Sequence, residues 1–583
     1  MNIRSMCAVA VVAIAASAMA FGAGGLYDEY WDYELHQDPF LATTSGDDRY
    51  NDRVPDVSAT AQHARLEQLR AFQARLRDET NSGDPLNAEL LRFILEHDIA
   101  LGEFEPWRIP FLSDSGFHMN IGYVVSSTRF EIMDDYRDYL LRLRALPGYF
   151  EQNKTNMQAG LDTGFTQPQL IMANILPSFE SQVTGSAEEH PLYAPFRTIH
   201  DALSTADKAA LRREAKQVLE QEVIPAYATL RDFMRDRYIP NARQTLGASE
   251  LPGGEEYYAA LVRYFTTLDS ATPQAIHNRG LSEVARIRAE MDAVITETDF
   301  EGSFEEFLEF LRIDPQFYPK TADELLKQAA WIAKKTDGRL PAFFGKLPRQ
   351  PYSVDPVPDE IAANYTGGRY VPAPPGGPRG GQYWVNTYAL ETRPLYQLVA
   401  LSLHEGVPGH HLQGALAYEI EDAPAFRRQF YPHAFGEGWG LYSEKLGVEM
   451  GIYETPYDHF GRLSYEMWRA ARLVVDTGIH AMGWSREQAI DYLASNTALS
   501  MHEIGTEIDR YIAWPGQALA YKIGELTIWE LRAEAEKDLG DAFDIREFHD
   551  RVLTSGGVPL EILKIQVRRY IETTLASKSS DDS

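Results

Sequence analysis

One cysteine, Cys7, occurs in 583 residues. A lone cysteine excludes any disulfide within the chain, so stability has to come from packing rather than cross-links. Positive charge is also scarce. Lys and Arg number 55 against 85 Asp and Glu, a formal net charge of -30. Nucleic acids and anionic membrane surfaces reward Lys and Arg, so neither is expected as a main partner. There is no GxxxxGKS or GxxxxGKT phosphate loop and no GxSxG elbow. GGPRGG does not sit between a strand and a helix, so it does not read as a dinucleotide fingerprint.

Long apolar runs are missing too, apart from one at the N-terminus. Arg4 precedes an apolar run from about Met6 to Ala16, and Ala18-Met19-Ala20 offers small residues at a cleavage site. The run is shorter than the about 20 residues of a membrane span, so the pattern predicts a signal peptide over residues 1–20, cut after Ala20. The expected location is periplasmic or secreted, with no stable membrane insertion. Cys7 lies inside this segment, too early for a lipid-attachment cysteine.

Hydrophobic residues make up 44% and charged residues 24%, an ordinary globular mix. Residues 21–60 are acidic, aromatic and irregular by pattern. From 61 to 575 apolar residues recur at three- and four-residue spacing, as in ARLEQLRAFQARLRDET and LSEVARIRAEMDAVITETDF, which predicts a mainly α fold. Residues of about 345–390 break the pattern. They are crowded with Pro and Gly around β-prone RYVPA and QYWVNTY, which predicts a small sheet of loops and edge strands before the next helix. The tail ASKSSDDS, residues 576–583, is expected to be disordered.

What the chain does have is HEGVPGHH, His404 to His411. The zinc-protease signature H-E-x-x-H puts two histidines about 40° apart around one helix and about 6 Å apart along it. Here His404 and Glu405 are in place, but position 408 holds Pro408. On a straight helix His404 and His410 would lie about 120° apart, and His404 and His411 about 10.5 Å apart along the axis. Zinc–nitrogen bonds of about 2.0–2.1 Å allow neither pair. Pro408 and Gly409 can break the helix, and discounting about two residues returns His410 to the place of the missing histidine. His411 is the alternative second ligand. Glu405 keeps its place beside His404 as the candidate base.

A third ligand is needed. Glu437, in FGEGWGLYSEKLG, follows on a predicted helix with Gly436, Gly438 and Gly440 around it. Glu444 and His433 compete for the role. The predicted metal region is thus about 404–444. Candidate oxyanion donors are Tyr511 and Tyr521. Arg510, Tyr383 and Asn386 are candidate substrate contacts, the last two on a strand able to pair with an extended peptide.

HEGVPGHHLQ, EGWGLYSE and RYIAWPGQALAYKIG together resemble the bacterial family called domain of unknown function 885, as do GFTQP, LPGGEEYY, TPQAIHNRGLSEVARI and GGQYWVNT, over about Arg65 to Glu572. That family is similar to the gluzincin metallopeptidases, such as the carboxypeptidase Taq and angiotensin-converting-enzyme groups. The resemblance implies a helical, two-lobed body with a deep cleft. It gives His404, His410 and Glu437 the roles of ligands to one zinc ion, and Glu405 that of base. The expected activity is peptide-bond hydrolysis, in which Glu405 takes a proton from the attacking water and passes it to the leaving amine. A zinc-dependent amidase and a catalytically inactive peptide-binding protein are the alternatives. The expected partner is a peptide substrate.

Overall fold

The computed structural model describes residues 25–78, 84–363, 365–373 and 379–581. Helix accounts for 71% of the structure and strand for 3%, so helix packing sets the frame. At its centre is Pro456–Met482 (α6 below), a helix buried along almost its whole length. Its N-terminus is fixed by a capping box, in which Thr455 accepts from the Asp458 amide and Asp458 accepts from that of Thr455. It packs against Pro273–Glu297 (α2), Leu395–Glu405 (α3) and Leu519–Leu539 (α8).

Two separate apolar cores flank α6. One joins Tyr139, Leu143 and Phe150 of Met133–Thr163 (α1) to Leu463, Met467 and Ala471 of α6. The other joins Leu403 of α3, Trp439 and Tyr442 of His433–Glu449 (α5), Leu473 of α6, and Ile528 and Leu531 of α8. A helix buried on all sides must also bury its charges, and α6 does so in pairs. Glu466 meets Arg462 at 2.6 Å and Lys522, itself fully buried, at 2.8 Å. Arg472 meets Glu507 at 2.9 Å.

The Pro- and Gly-rich stretch forms a three-stranded sheet in the order β1-β3-β2, with β1 Tyr352–Pro356, β2 Gly368–Val371 and β3 Gly381–Val385. β1 runs parallel to β3, and β2 antiparallel. QYWV therefore lies in the central strand, not at an edge as its prolines and glycines suggest. Pro358, Gly367, Pro372 and Gly380 lie outside the strands, while Pro356, Gly368 and Gly381 fall at strand ends, and β3 pairs on both sides.

The N-terminal expectation also needs correction. Residues 21–60 are not irregular where described, since Leu26–Gln37 and Pro39–Thr44 are helices. Leu26, Tyr30 and Tyr33 share one helical face, and both tyrosine rings meet Phe72 at 5.6 Å. Asp38 caps the second helix by accepting from Phe40 and Leu41. The density of Asp and Glu masked this period in the sequence. At the other end the helix Leu560–Asp581 continues into the segment expected to be disordered, because Ala576 and Ser577 extend an existing helix without the cost of a new nucleus, and residues 582–583 lie outside the described residues. The predicted signal peptide lies outside the described residues. Among the described residues no helix is long and apolar enough to cross a membrane.

Candidate metal centre

α3 carries His404 and Glu405 at its last two positions and stops there. The backbone then turns through Gly406, Val407, Pro408 and Gly409, and a new helix, His410–Tyr418 (α4), begins on the histidine itself. The break is thus more complete than the expected kink. The turn is held by backbone bonds from Gly409 to the Leu403 carbonyl and from His411 to that of Gly406. Gly409 passes so close to α3 that a Cβ there would fall 1.9 Å from the His404 carbonyl oxygen, so only glycine fits. The Trp439 indole N–H donates to the Pro408 carbonyl at 2.7 Å, fixing the turn to α5.

This turn brings His410, not His411, to His404. One ligand atom each from His404, His410 and Glu437 lies within 4.8 Å of the others. Nε2 of each histidine is 3.6 Å from Glu437 Oε2. His411 faces the sheet instead, with Nε2 3.1 Å from the Gln350 carbonyl and its ring 4.4 Å from that of Tyr352. Burial there lowers its pKa to about 4.

The three glycines of FGEGWG each admit a neighbour. A Cβ on Gly436 would strike the Tyr431 ring, one on Gly438 the Gly524 backbone of α8, and one on Gly440 the His404 imidazole at 2.5 Å. Gly440 therefore makes room for the His404 ring. Glu444, one turn further along α5, is not a ligand competitor here. Its Oε1 lies 2.7 Å from His404 Nδ1, on the opposite side of the ring from Glu437. His433 is not grouped with the ligands, and its ring packs 5.4 Å from Phe265.

Glu405 Oε2 accepts the Tyr370 amide at 2.7 Å. Tyr370 belongs to β2, and this amide points away from β3, so the free edge of β2 lies along the metal centre. Burial acts to lower the pKa of His404, but Glu437, Glu444 and Glu405 outweigh it and raise it to about 10. Three carboxylates around one imidazole make a centre that favours a cation.

The remaining predicted residues fall differently. Tyr383 is fully buried under the sheet, its hydroxyl 3.3 Å from Ser402, and has no route to a substrate. Asn386 is fully buried as well. Its amide donates to the carbonyls of Ala362, Tyr365 and Thr366, so it closes the turn rather than holding a peptide. Tyr511 is buried, with its hydroxyl tied to Glu507, Arg472 and Trp468, which leaves no free donor for an oxyanion. Arg510 bonds Gln517 and Glu507. The Tyr521 ring lies 4.4 Å under the Arg472 guanidinium and stays half-buried. Two residues at the centre were not singled out in the sequence. Tyr431, 46% exposed, points its hydroxyl at Glu437 Oε1, 3.4 Å away. Arg369 of β2 is exposed beside Glu405 and Glu437. Neither sits in a helical motif, and only the strand register places Arg369.

The donor set can be tested against zinc. Two bonds of about 2.05 Å at a tetrahedral angle put two ligand atoms about 3.4 Å apart. The two 3.6 Å separations match that spacing, and two nitrogens with one carboxylate oxygen form a set that zinc accepts. The Glu444 contact gives His404 the outer partner that metal-bound histidines carry.

Comparison with known proteins agrees with this architecture. The profile of the family described as "Bacterial protein of unknown function (DUF885)" matches residues 39–567. Two crystal structures are similar, each described as that of a "putative lipoprotein". The one from Colwellia psychrerythraea has a TM-score of 0.87 at 28% identity, covering 94% of this chain and 98% of the other. The one from Shewanella oneidensis has a TM-score of 0.71 at 18% identity, covering 92% and 98%, and speaks to the fold alone. A comparison with curated proteins finds no match.

Proposed function

We propose, for a chain that belongs to DUF885, the bacterial family of unknown function, the activity of a zinc-dependent peptidase. The observation that carries this reading is the convergence of His404, His410 and Glu437 beside Glu405. His404, His410 and Glu437 would hold the ion. When bound, zinc supplies Lewis acidity and lowers the pKa of water.

The protein's own residues supply the rest. Glu405 is held by the Tyr370 amide through Oε2, which leaves Oε1 to accept a proton from the attacking water and pass it to the leaving amine. With the Tyr370 amide taken by Glu405, the remaining outward backbone groups of β2 would offer an extended peptide a strand to pair with, the role first expected of β3. Tyr431, whose hydroxyl meets Glu437, and Tyr521 would then be the candidates to stabilise charge on the carbonyl oxygen, in place of Tyr511. The two apolar cores on either side of α6 support a two-lobed body. Export is part of the same reading, supported by the N-terminal apolar run and by the lipoprotein description of the structural neighbour from Colwellia psychrerythraea.

The test is metal analysis of the purified protein together with digestion of a peptide library by wild type and Glu405→Gln. Near-stoichiometric zinc in both proteins, with cleavage only by wild type, supports the reading. Absence of zinc, or equal cleavage by both proteins, overturns it.

A further inference from the structure

The strand beside the candidate metal centre carries a cation that neither the metal nor the proton transfers require. Arg369 stands next to Tyr370, whose amide grips the base, on the strand whose free edge faces Glu405. Its side chain is exposed in a protein of net charge -30. Among the described residues it forms no salt bridge, and its one hydrogen-bonding neighbour is Tyr365. Tyr365 packs on Trp384, the cross-strand partner of Arg369, with ring centroids 6.1 Å apart, so this hydrogen-bonding neighbour is itself anchored to the sheet. Glu405 and Glu437 are both close enough to favour its charge.

The short helix Asn120–Val125 presents Tyr123, 60% exposed, close enough for the charge of Arg369 to act on its hydroxyl. A planar guanidinium with spare N–H donors, fixed on a strand that would align a peptide, is suited to a two-oxygen anion. Other arginines of the region are already engaged. Arg472 is bonded to Tyr511 and Glu507, and Arg510 to Gln517 and Glu507.

We propose that Arg369 binds the free α-carboxylate of the peptide lying along β2, making this a site for the carboxyl-terminal ends of peptides rather than for internal segments. The proposal rests on the peptidase reading and names the substrate class for it. The carboxylate would take the spare N–H groups of Arg369, and the bond presented to Glu405 would then lie near the carboxyl-terminal end. Arg369 here is a specificity-determining residue, and no proton passes through it.

Binding is measured on Glu405→Gln protein with zinc present, using short N-blocked peptides as free acids and as C-terminal amides. The free acids are expected to bind tighter by roughly tenfold, between the value of an exposed ion pair and that of a buried one. Arg369→Gln in the same background should erase the difference, and Arg369→Lys should restore part of it. Equal binding of acids and amides, no binding of either, or a preference that survives Arg369→Gln overturns the proposal. Digestion by wild type separates the two readings. Acids and amides cut equally well would remove the carboxylate site and leave the peptidase, whereas no cleavage of any peptide would remove the peptidase reading itself. A loss of kcat in Arg369→Gln that is the same for acids and amides would assign Arg369 to the reacting carbonyl and also overturn the proposal.

Discussion

Glu444 Oε1 lies 2.7 Å from His404 Nδ1, while Nε2 of the same ring faces Glu437 at 3.6 Å. With zinc bound, the carboxylate would hold the Nδ1 proton and leave the lone pair of Nε2 to the metal. Glu444→Gln keeps the shape but weakens that hold. Zinc affinity, measured by competition with a chromophoric chelator, should fall by about 10- to 100-fold. An unchanged affinity would mean that Glu444 does not orient the ring.

The two adjacent histidines separate cleanly by substitution. His410→Ala should lose zinc at concentrations that saturate wild type. His411→Ala should keep it, because His411 is turned to Gln350 and Tyr352. Metal content of the two purified variants decides the matter, and zinc lost only from His411→Ala would contradict the geometry.

Gly440→Ala adds one methyl group where the His404 ring already lies 2.5 Å away. The ring has to move, since α5 is packed on both sides and has no space to yield. The expected result is a folded protein, helical by circular dichroism, with zinc affinity reduced by about tenfold or more. Wild-type affinity in this variant would show that the ring is free to shift.

His549 is buried and neutral. Its Nδ1 donates to the Phe343 carbonyl at 2.8 Å and its Nε2 accepts from Tyr442 at 2.7 Å, and burial lowers its pKa to about 3. Below the unfolded value of about 6.5 the unfolded state gains a proton that the folded state refuses. Stability from this residue is therefore complete above about pH 6.5 and lost as pH falls toward 3, by up to about 1.4 kcal/mol per pH unit. His549→Gln keeps a donor and an acceptor but does not titrate. The stability advantage of wild type over this variant, from urea midpoints, should shrink steadily between pH 6.5 and pH 4. Asp476 and Glu503, raised to about 7 by burial, act in the opposite sense, but they are common to both proteins and cancel. A difference that stays flat with pH would place His549 in a wetter setting.

How much of this was legible in the sequence depended on whether a feature is local. The approach of His410 to His404 was legible because helix geometry and zinc bond lengths act over a short span, whereas Glu437 rested on its glycine frame and on the family resemblance. Tyr383 and Asn386 were misplaced because the position of a strand within a sheet depends on which partners it finds, and nothing within QYWVNTY states that β1 and β2 will flank it. Tyr511 looked available because a sequence does not show Arg472 and Glu507 closing on its hydroxyl. Arg369 and Tyr431 were missed for the same reason, since each reaches the centre from a separate part of the sequence.

The separation of α3 from α4 has a further consequence. In an unbroken H-E-x-x-H helix the bite between the two histidines is a property of secondary structure and survives wherever the helix does. Here His404 and His410 sit on different helices, and their spacing is set by Trp439 on Pro408, Gly409 under α3 and Gly440 against the imidazole. Metal affinity thus becomes a gauge of side-chain order. A compact, loosened form that kept its helices but lost fixed packing would hold zinc poorly while its far-ultraviolet spectrum stayed near native, so metal release on gentle heating or acidification should precede the loss of helix.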